Sequence, residues 1–200
     1  MKVGLLNPDY YGCLTVLDSY YCYRAADTLK SLLCEISKYE EPDLYTKVNE
    51  LVIGYDSYNS VFLKYWHIHL SDDVVPTAEM KAYADFEHSV MCSKDPIYTL
   101  VAYIPCYYLW PWFSEQVIKE NQKNHVNAGV YQSWFEGNYN NGEGYDSAYD
   151  LGNFIEQWQT NGKKFDESIA FEIYKTSMEH ELEVFSKAYY TKENILNGGK

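Results

Sequence analysis

Apolar residues recur at intervals of three and four along most of the chain, and strict apolar/polar alternation is absent, which is the pattern of amphipathic helices rather than strands. The spacing predicts an all-α fold, a bundle of about seven helices. Asn7-Pro8-Asp9 is a helix start, and Leu14, Leu17, Tyr21, Ala25, Leu29, Leu32 and Ile36 keep helical spacing to about residue 38. A second helix follows Pro42 and runs to about residue 70, with Gly54 as a kink point. Pro76-Thr77 opens a third, to about residue 93, and Asp95-Pro96 a fourth. From 97 to 117 the fourth is apolar on nearly every side, which puts it at the centre of the bundle. Pro105 removes one of its ladder hydrogen bonds and predicts a kink. A fifth helix is expected over 126–135, a loop over 137–144, a sixth helix around Tyr149 to Trp158, and a last one from 165 to about 190 on the stripe Ile169, Ile173, Tyr174, Met178, Phe185 and Tyr189.

Two hundred residues without an interdomain linker or repeat imply one domain spanning the chain. Sixteen Lys and Arg against 29 Asp and Glu give a net charge of -13, which repels phosphate backbones and anionic headgroups, so no nucleic acid or membrane partner is expected. The longest apolar run, 100–113, contains two prolines and falls short of the roughly 20 residues of a membrane span. No secretory signal opens the chain, so a cytoplasmic location is expected. The five cysteines show no CxxC spacing and read as reduced thiols. Twenty-two Tyr, five Trp and eight Phe suit either a tyrosine-rich core or a site for a flat heteroaromatic ligand.

Three polar residues interrupt the apolar stripes. Asp18 lies four residues after Leu14 and three before Tyr21, on the core-facing side of the first helix. Glu181 continues the line of Tyr174 and Met178 toward Phe185 and Ala188, so the last helix also points a carboxyl inward. Cys106 directly follows Pro105, with Tyr103, Trp110 and Phe113 on its side of the helix. A thiol near carboxyls and rings is a candidate nucleophile once a neighbour accepts its proton. The histidines form neither HExxH nor paired ExxH sets, and Asp85-Phe86-Glu87-His88 gives only a single DxxH, so no metal site is expected. GxGxxG, P-loop and GxSxG patterns are missing, which leaves nucleotide and α/β-hydrolase readings without support.

Val16-Leu17-Asp18-Ser19-Tyr20-Tyr21 resembles the LxDSYY motif of the thiaminase II (TenA) family, a haem-oxygenase-like helical class. Ala102-Tyr103-Ile104-Pro105-Cys106-Tyr107-Tyr108-Leu109 resembles its ALLPCYWLY stretch, and Tyr131-Gln132-Ser133-Trp134-Phe135 its YxxWI segment. Glu181-Leu182-Glu183-Val184-Phe185-Ser186-Lys187-Ala188 is similar to its ExxFWxxA pattern, with Phe185 in place of Trp. The resemblance implies a cofactor-independent hydrolase of thiamine salvage, converting 4-amino-5-aminomethyl-2-methylpyrimidine, or less efficiently thiamine, to the hydroxymethylpyrimidine. In that reading Cys106 is the nucleophile, Glu181 the acid and base, and Asp18 the anchor of the pyrimidine edge. Tyr21 and Tyr83 sandwich the ring, and the protein is a homotetramer.

Departures from the pattern are equally specific. Trp110 stands where many members have Tyr, and Asn138 replaces a further site Tyr that Tyr139, one residue on, is expected to supply through a shifted loop. Relative to the family the chain begins about one helix late, without an amphipathic first helix. A relative that binds a pyrimidine or another flat ligand without catalysis is the alternative expectation.

Overall fold

Pro8 presets the first helical φ, and Asn7 Oδ1 accepts the Asp9 N–H at 2.9 Å, so α1 (Pro8–Glu35) begins where the sequence places it. The computed structural model describes residues 3–36 and 38–188 and shows no strand among them. Pro42 starts α2 (Pro42–Trp66), which continues past Gly54 and ends four residues before the expected limit. There His67 takes the left-handed conformation, φ 56°, and its N–H bonds the Phe62 carbonyl. The Asp73 carboxylate then accepts the N–H groups of His69 and Leu70, fixing the turn that follows. Thr77 caps α3 (Ala78–Ser93) by accepting the Met80 N–H at 3.2 Å.

Helix α4 (Ile97–Lys123) runs six residues beyond the expected end and contains both Pro105 and Pro111. Between 126 and 131 the predicted helix gives way to a 3-10 turn, Gly129–Tyr131, because His125 (φ 54°) and Gly129 (φ 57°) occupy left-handed conformations. Helix α5 is therefore shorter and later, Gln132–Tyr139. It extends into the expected loop, whose turn formers serve instead at Asn140, Asn141 and Gly142, all at positive φ. Helices α6 (Asp146–Thr160) and α7 (Glu167–Ala188) complete the order. Asp166 caps α7, its Oδ1 accepting the N–H groups of Ser168 and Ile169. Tyr189 of the last predicted stripe lies outside the described residues.

Helix α1 packs on α2 and α3, while α4 packs on α3, α5, α6 and α7 and so forms the middle of the structure. Its first seven residues, Ile97 to Tyr103, are all buried, as their largely apolar sequence requires. The main core joins α1, α2, α3, α4, α6 and α7, and a smaller cluster of Val117, Ala128, Tyr131 and Phe135 fills the space under α5. Many tyrosines pin this core through their hydroxyls: Tyr23 donates to the Ile68 carbonyl (2.7 Å), Tyr103 to Ala25 (3.2 Å) and Tyr131 to Leu6 (3.0 Å). A buried phenol needs such a partner, so much of the tyrosine excess is structural. Among the described residues no helix is long and apolar enough to cross a membrane.

Candidate active site

A cavity of about 780 Å³ opens between α1, α2, α4, α5 and the 140–145 turn. Asp18 and Cys22, one helical turn apart on α1, form one wall. Tyr55, Tyr58 and Phe62 come from α2, and Cys106, Tyr107 and Trp110 from α4. Trp134 and Asn138 close the far side from α5. Gly144 belongs to this wall because a Cβ there would run into the Asn138 carbonyl and the Pro111 ring, so only glycine lets the turn approach α4. At the mouth, Lys47 is held by Glu50 (2.7 Å) and Asp150 (2.8 Å).

The Asp18 carboxyl accepts the Tyr58 hydroxyl at 3.3 Å and faces the Cys22 thiol at 3.9 Å. Burial raises its pKa to about 6, and the two hydrogen bonds only partly oppose the rise. A carboxyl with this pKa is mainly an ionised acceptor at neutrality and becomes a donor about one pH unit lower.

Behind the cavity lies a second layer. Glu181 of α7 is 4% exposed and Glu87 of α3 is 1% exposed. Neither forms an ion pair among the described residues. The Tyr21 hydroxyl and Glu87 Oε1 are 2.7 Å apart, and the Tyr21 and Tyr83 rings stack at 4.9 Å with 24° between their planes. Tyr83 is covered on the other side by His180, 5.7 Å away, and its buried hydroxyl has no partner in full hydrogen-bond geometry. Burial pushes Glu181 up to about 7, against hydrogen bonding from Tyr83 and Cys106. Burial also pushes Glu87 well above the ordinary carboxyl value; hydrogen bonding from Tyr21 and Tyr83 opposes the rise, and the Glu181 charge adds to it.

Cys106 connects the layers, because its side chain borders the cavity while Tyr21 and Glu181 act on it from behind. Burial raises its pKa well above the ordinary thiol value, the Glu181, Asp18 and Glu87 charges raise it further, and Tyr21 lowers it. The resting group is thus a neutral thiol, whose reactivity depends on a neighbour taking its proton.

Asp18, Cys106 and Trp110 of the sequence expectations meet at one cavity, with Glu181 directly behind the thiol. Two other expectations need correction. Tyr21 and Tyr83 do not flank an open slot: at 4.9 Å their rings occupy each other's faces and leave no room for a third ring. The rings that do border the cavity are Tyr55, Tyr58, Tyr107, Trp110 and Trp134. Nor does Tyr139 replace the missing phenol. Asn138 lines the cavity, its amide donating to the Trp134 carbonyl at 2.8 Å, while Tyr139 turns to Glu115, which also holds Lys119 and Tyr145. Trp110 packs edge-on against Trp134 at 5.5 Å and against Phe185 at 4.9 Å.

Glu87 and Cys22 were not singled out by sequence. Glu87 sits four residues after Tyr83 and three before Val90, on the buried stripe of α3, and that spacing was the available signal. Among the described residues no group of three or more His, Cys, Asp and Glu side chains is placed to hold a metal ion.

A protein described as a TenA homologue from P. horikoshii OT3 has the same fold, with a TM-score of 0.72 and 18% sequence identity over 94% of this chain and 86% of that one. No protein-family model and no curated protein sequence matches the chain. At this identity the likeness establishes the arrangement of helices, a TenA-like, haem-oxygenase-like all-helical fold.

Proposed function

We propose that the cavity hydrolyses the exocyclic C–N bond of an aminopyrimidine, with 4-amino-5-aminomethyl-2-methylpyrimidine as substrate and thiamine as a poorer one. The observation that carries this reading is the meeting of three groups from three helices: a neutral thiol, a carboxyl with a pKa of about 7 behind it, and a second carboxyl with a pKa of about 6 on the cavity wall. A flat ligand enters among the Tyr and Trp rings, and Asp18 bonds its amidine edge and fixes its register.

Cys106 passes its proton to ionised Glu181, and the thiolate adds to an electron-poor ring carbon. The electron pair pushed into the ring expels the amine from the methylene, and Glu181 returns the proton to that amine as it leaves. Water then adds to the exocyclic methylene as Glu181 takes one of its protons. Loss of the thiolate restores the aromatic ring and frees hydroxymethylpyrimidine, so the net change is one water consumed and one amine released. A group that accepts and donates in turn works best with a pKa near the operating pH, which the burial of Glu181 supplies.

The TenA-like fold supports a role connected with thiamine. The test is to incubate the pure protein with the aminomethylpyrimidine and with thiamine, following hydroxymethylpyrimidine by chromatography. Formation from the former at a higher kcat/KM supports the proposal. Saturable binding of both without product would leave a pyrimidine-binding protein and overturn it.

A further inference from the structure

Glu87 is a buried carboxyl that the proposed reaction leaves without a task. It is 1% exposed, has no cationic partner among the described residues, and shares its space with the Glu181 carboxyl. Two buried carboxylates that act on each other repel and lose hydration, so at least one keeps its proton. The separation of 2.7 Å between the Tyr21 oxygen and Glu87 Oε1 fits a hydrogen bond in either direction. If Glu87 were charged, the Tyr21 proton would be committed to it and turned away from Cys106.

We propose that Glu87 is a neutral carboxylic acid that donates its proton to the Tyr21 oxygen, leaving the Tyr21 O–H free to point at Cys106 and stabilise the thiolate. Glu87 touches no substrate and acts through Tyr21, so it is a positioning residue of the same site. The chain runs from Glu87 O–H to Tyr21 oxygen and from Tyr21 O–H to Cys106 sulfur, with no net proton transfer. It matches the sense in which Tyr21 acts, since Tyr21 lowers the pKa of Cys106 while the Glu181, Asp18 and Glu87 charges raise it. The other titratable groups facing this cluster are Asp18 and Cys22 on α1, Tyr55 and Tyr58 on α2, Tyr83 on α3, Tyr103 and Tyr107 on α4 and Glu181 on α7. The proposal rests on Cys106 being the nucleophile, and its test uses no substrate.

The experiment measures alkylation of Cys106 by iodoacetamide between pH 6 and 10, resolved by peptide mass spectrometry, in wild type, Glu87→Gln, Glu87→Leu and Tyr21→Phe. Thermal melts select conditions under which each variant is folded. Glutamine still donates an N–H to Tyr21, so Glu87→Gln is expected within about threefold of wild type at pH 8. Tyr21→Phe is expected to be about tenfold slower, having lost the thiolate's donor, and Glu87→Leu slower than Glu87→Gln. In infrared spectra, wild type at pH 8 is expected to show a protonated-carboxyl C=O band that Glu87→Gln lacks. Acceleration of tenfold or more in Glu87→Gln would reveal a charged Glu87 opposing the thiolate and overturn the proposal. So would an unchanged rate in Tyr21→Phe, or absence of the infrared band. Failure to hydrolyse the aminopyrimidine would overturn the functional reading and leave these results to judge Glu87 by themselves.

Discussion

Replacing Glu181 by glutamine removes a carboxyl whose burial destabilises the folded protein most when it is charged. The side chain is 4% exposed, and burial moves its pKa from 4.5 to about 7. The folded state therefore holds this proton more tightly than the unfolded chain does. Stability from this group is fully present below about pH 4.5, falls as pH rises toward 7, and is flat above that. At 1.36 kcal/mol per pH unit the displacement is worth roughly 3 kcal/mol at pH 8 and under about 1 kcal/mol at pH 5. Glutamine has nearly the same shape and carries no charge, so its own burial cost does not vary with pH. Whatever the offset at pH 5, the stability of Glu181→Gln relative to wild type should rise by roughly 2–3 kcal/mol on going to pH 8. The self-repulsion of a chain of net charge -13 acts on both proteins and cancels in the difference. Urea unfolding followed by tryptophan fluorescence at both pH values supplies the comparison. A stability difference that is the same at pH 5 and pH 8 would show that Glu181 ionises in the folded protein as readily as in water, and would remove the basis for its acid and base role.

In catalysis the same substitution should lower kcat by about 10² to 10⁴ with little change in substrate Kd, and by more for the aminomethylpyrimidine than for thiamine. A poor amine needs the proton and a neutral thiazole does not, so equal losses in steady-state assays would shift the acid role to another group. Asp18→Asn should raise KM strongly and lower kcat as well, because a ring out of register presents the wrong carbon to the thiol; a loss of melting temperature with unchanged kinetics would make Asp18 purely structural. Gly144→Ala forces a methyl into the Asn138 carbonyl and the Pro111 ring, so urea titration should show a loss of about 1–3 kcal/mol together with weaker ligand binding. A variant as stable as wild type would mean that this turn yields freely.

The arrangement of helices was legible because each amphipathic stripe carries its own start signal, as in Asn7-Pro8, Pro42 and Thr77. Boundaries failed where left-handed residues decide them. His67 and His125 carry no propensity that announces φ near 55°, and their conformation follows from packing and backbone hydrogen bonds. Within the site, Asp18, Cys106 and Glu181 stood out because each is polar at an apolar position. Glu87 follows the same rule on α3, but the DxxH around it draws attention to Asp85 and His88, and its pairing with Tyr21 joins residues 66 apart. The mutual stacking of Tyr21 and Tyr83 and the turning of Tyr139 toward Glu115 depend on side-chain directions between helices, which spacing along one chain does not specify.

The central claim, that a thiol in this cavity opens an aminopyrimidine, is tested most directly by comparing wild type with Cys106→Ser on the same substrate. Hydroxymethylpyrimidine is followed by chromatography, and ligand binding by quenching of the tryptophans that border the cavity. The account predicts product from wild type, none above the uncatalysed rate from Cys106→Ser, and similar binding by both. Product formation by Cys106→Ser at the wild-type rate would contradict it.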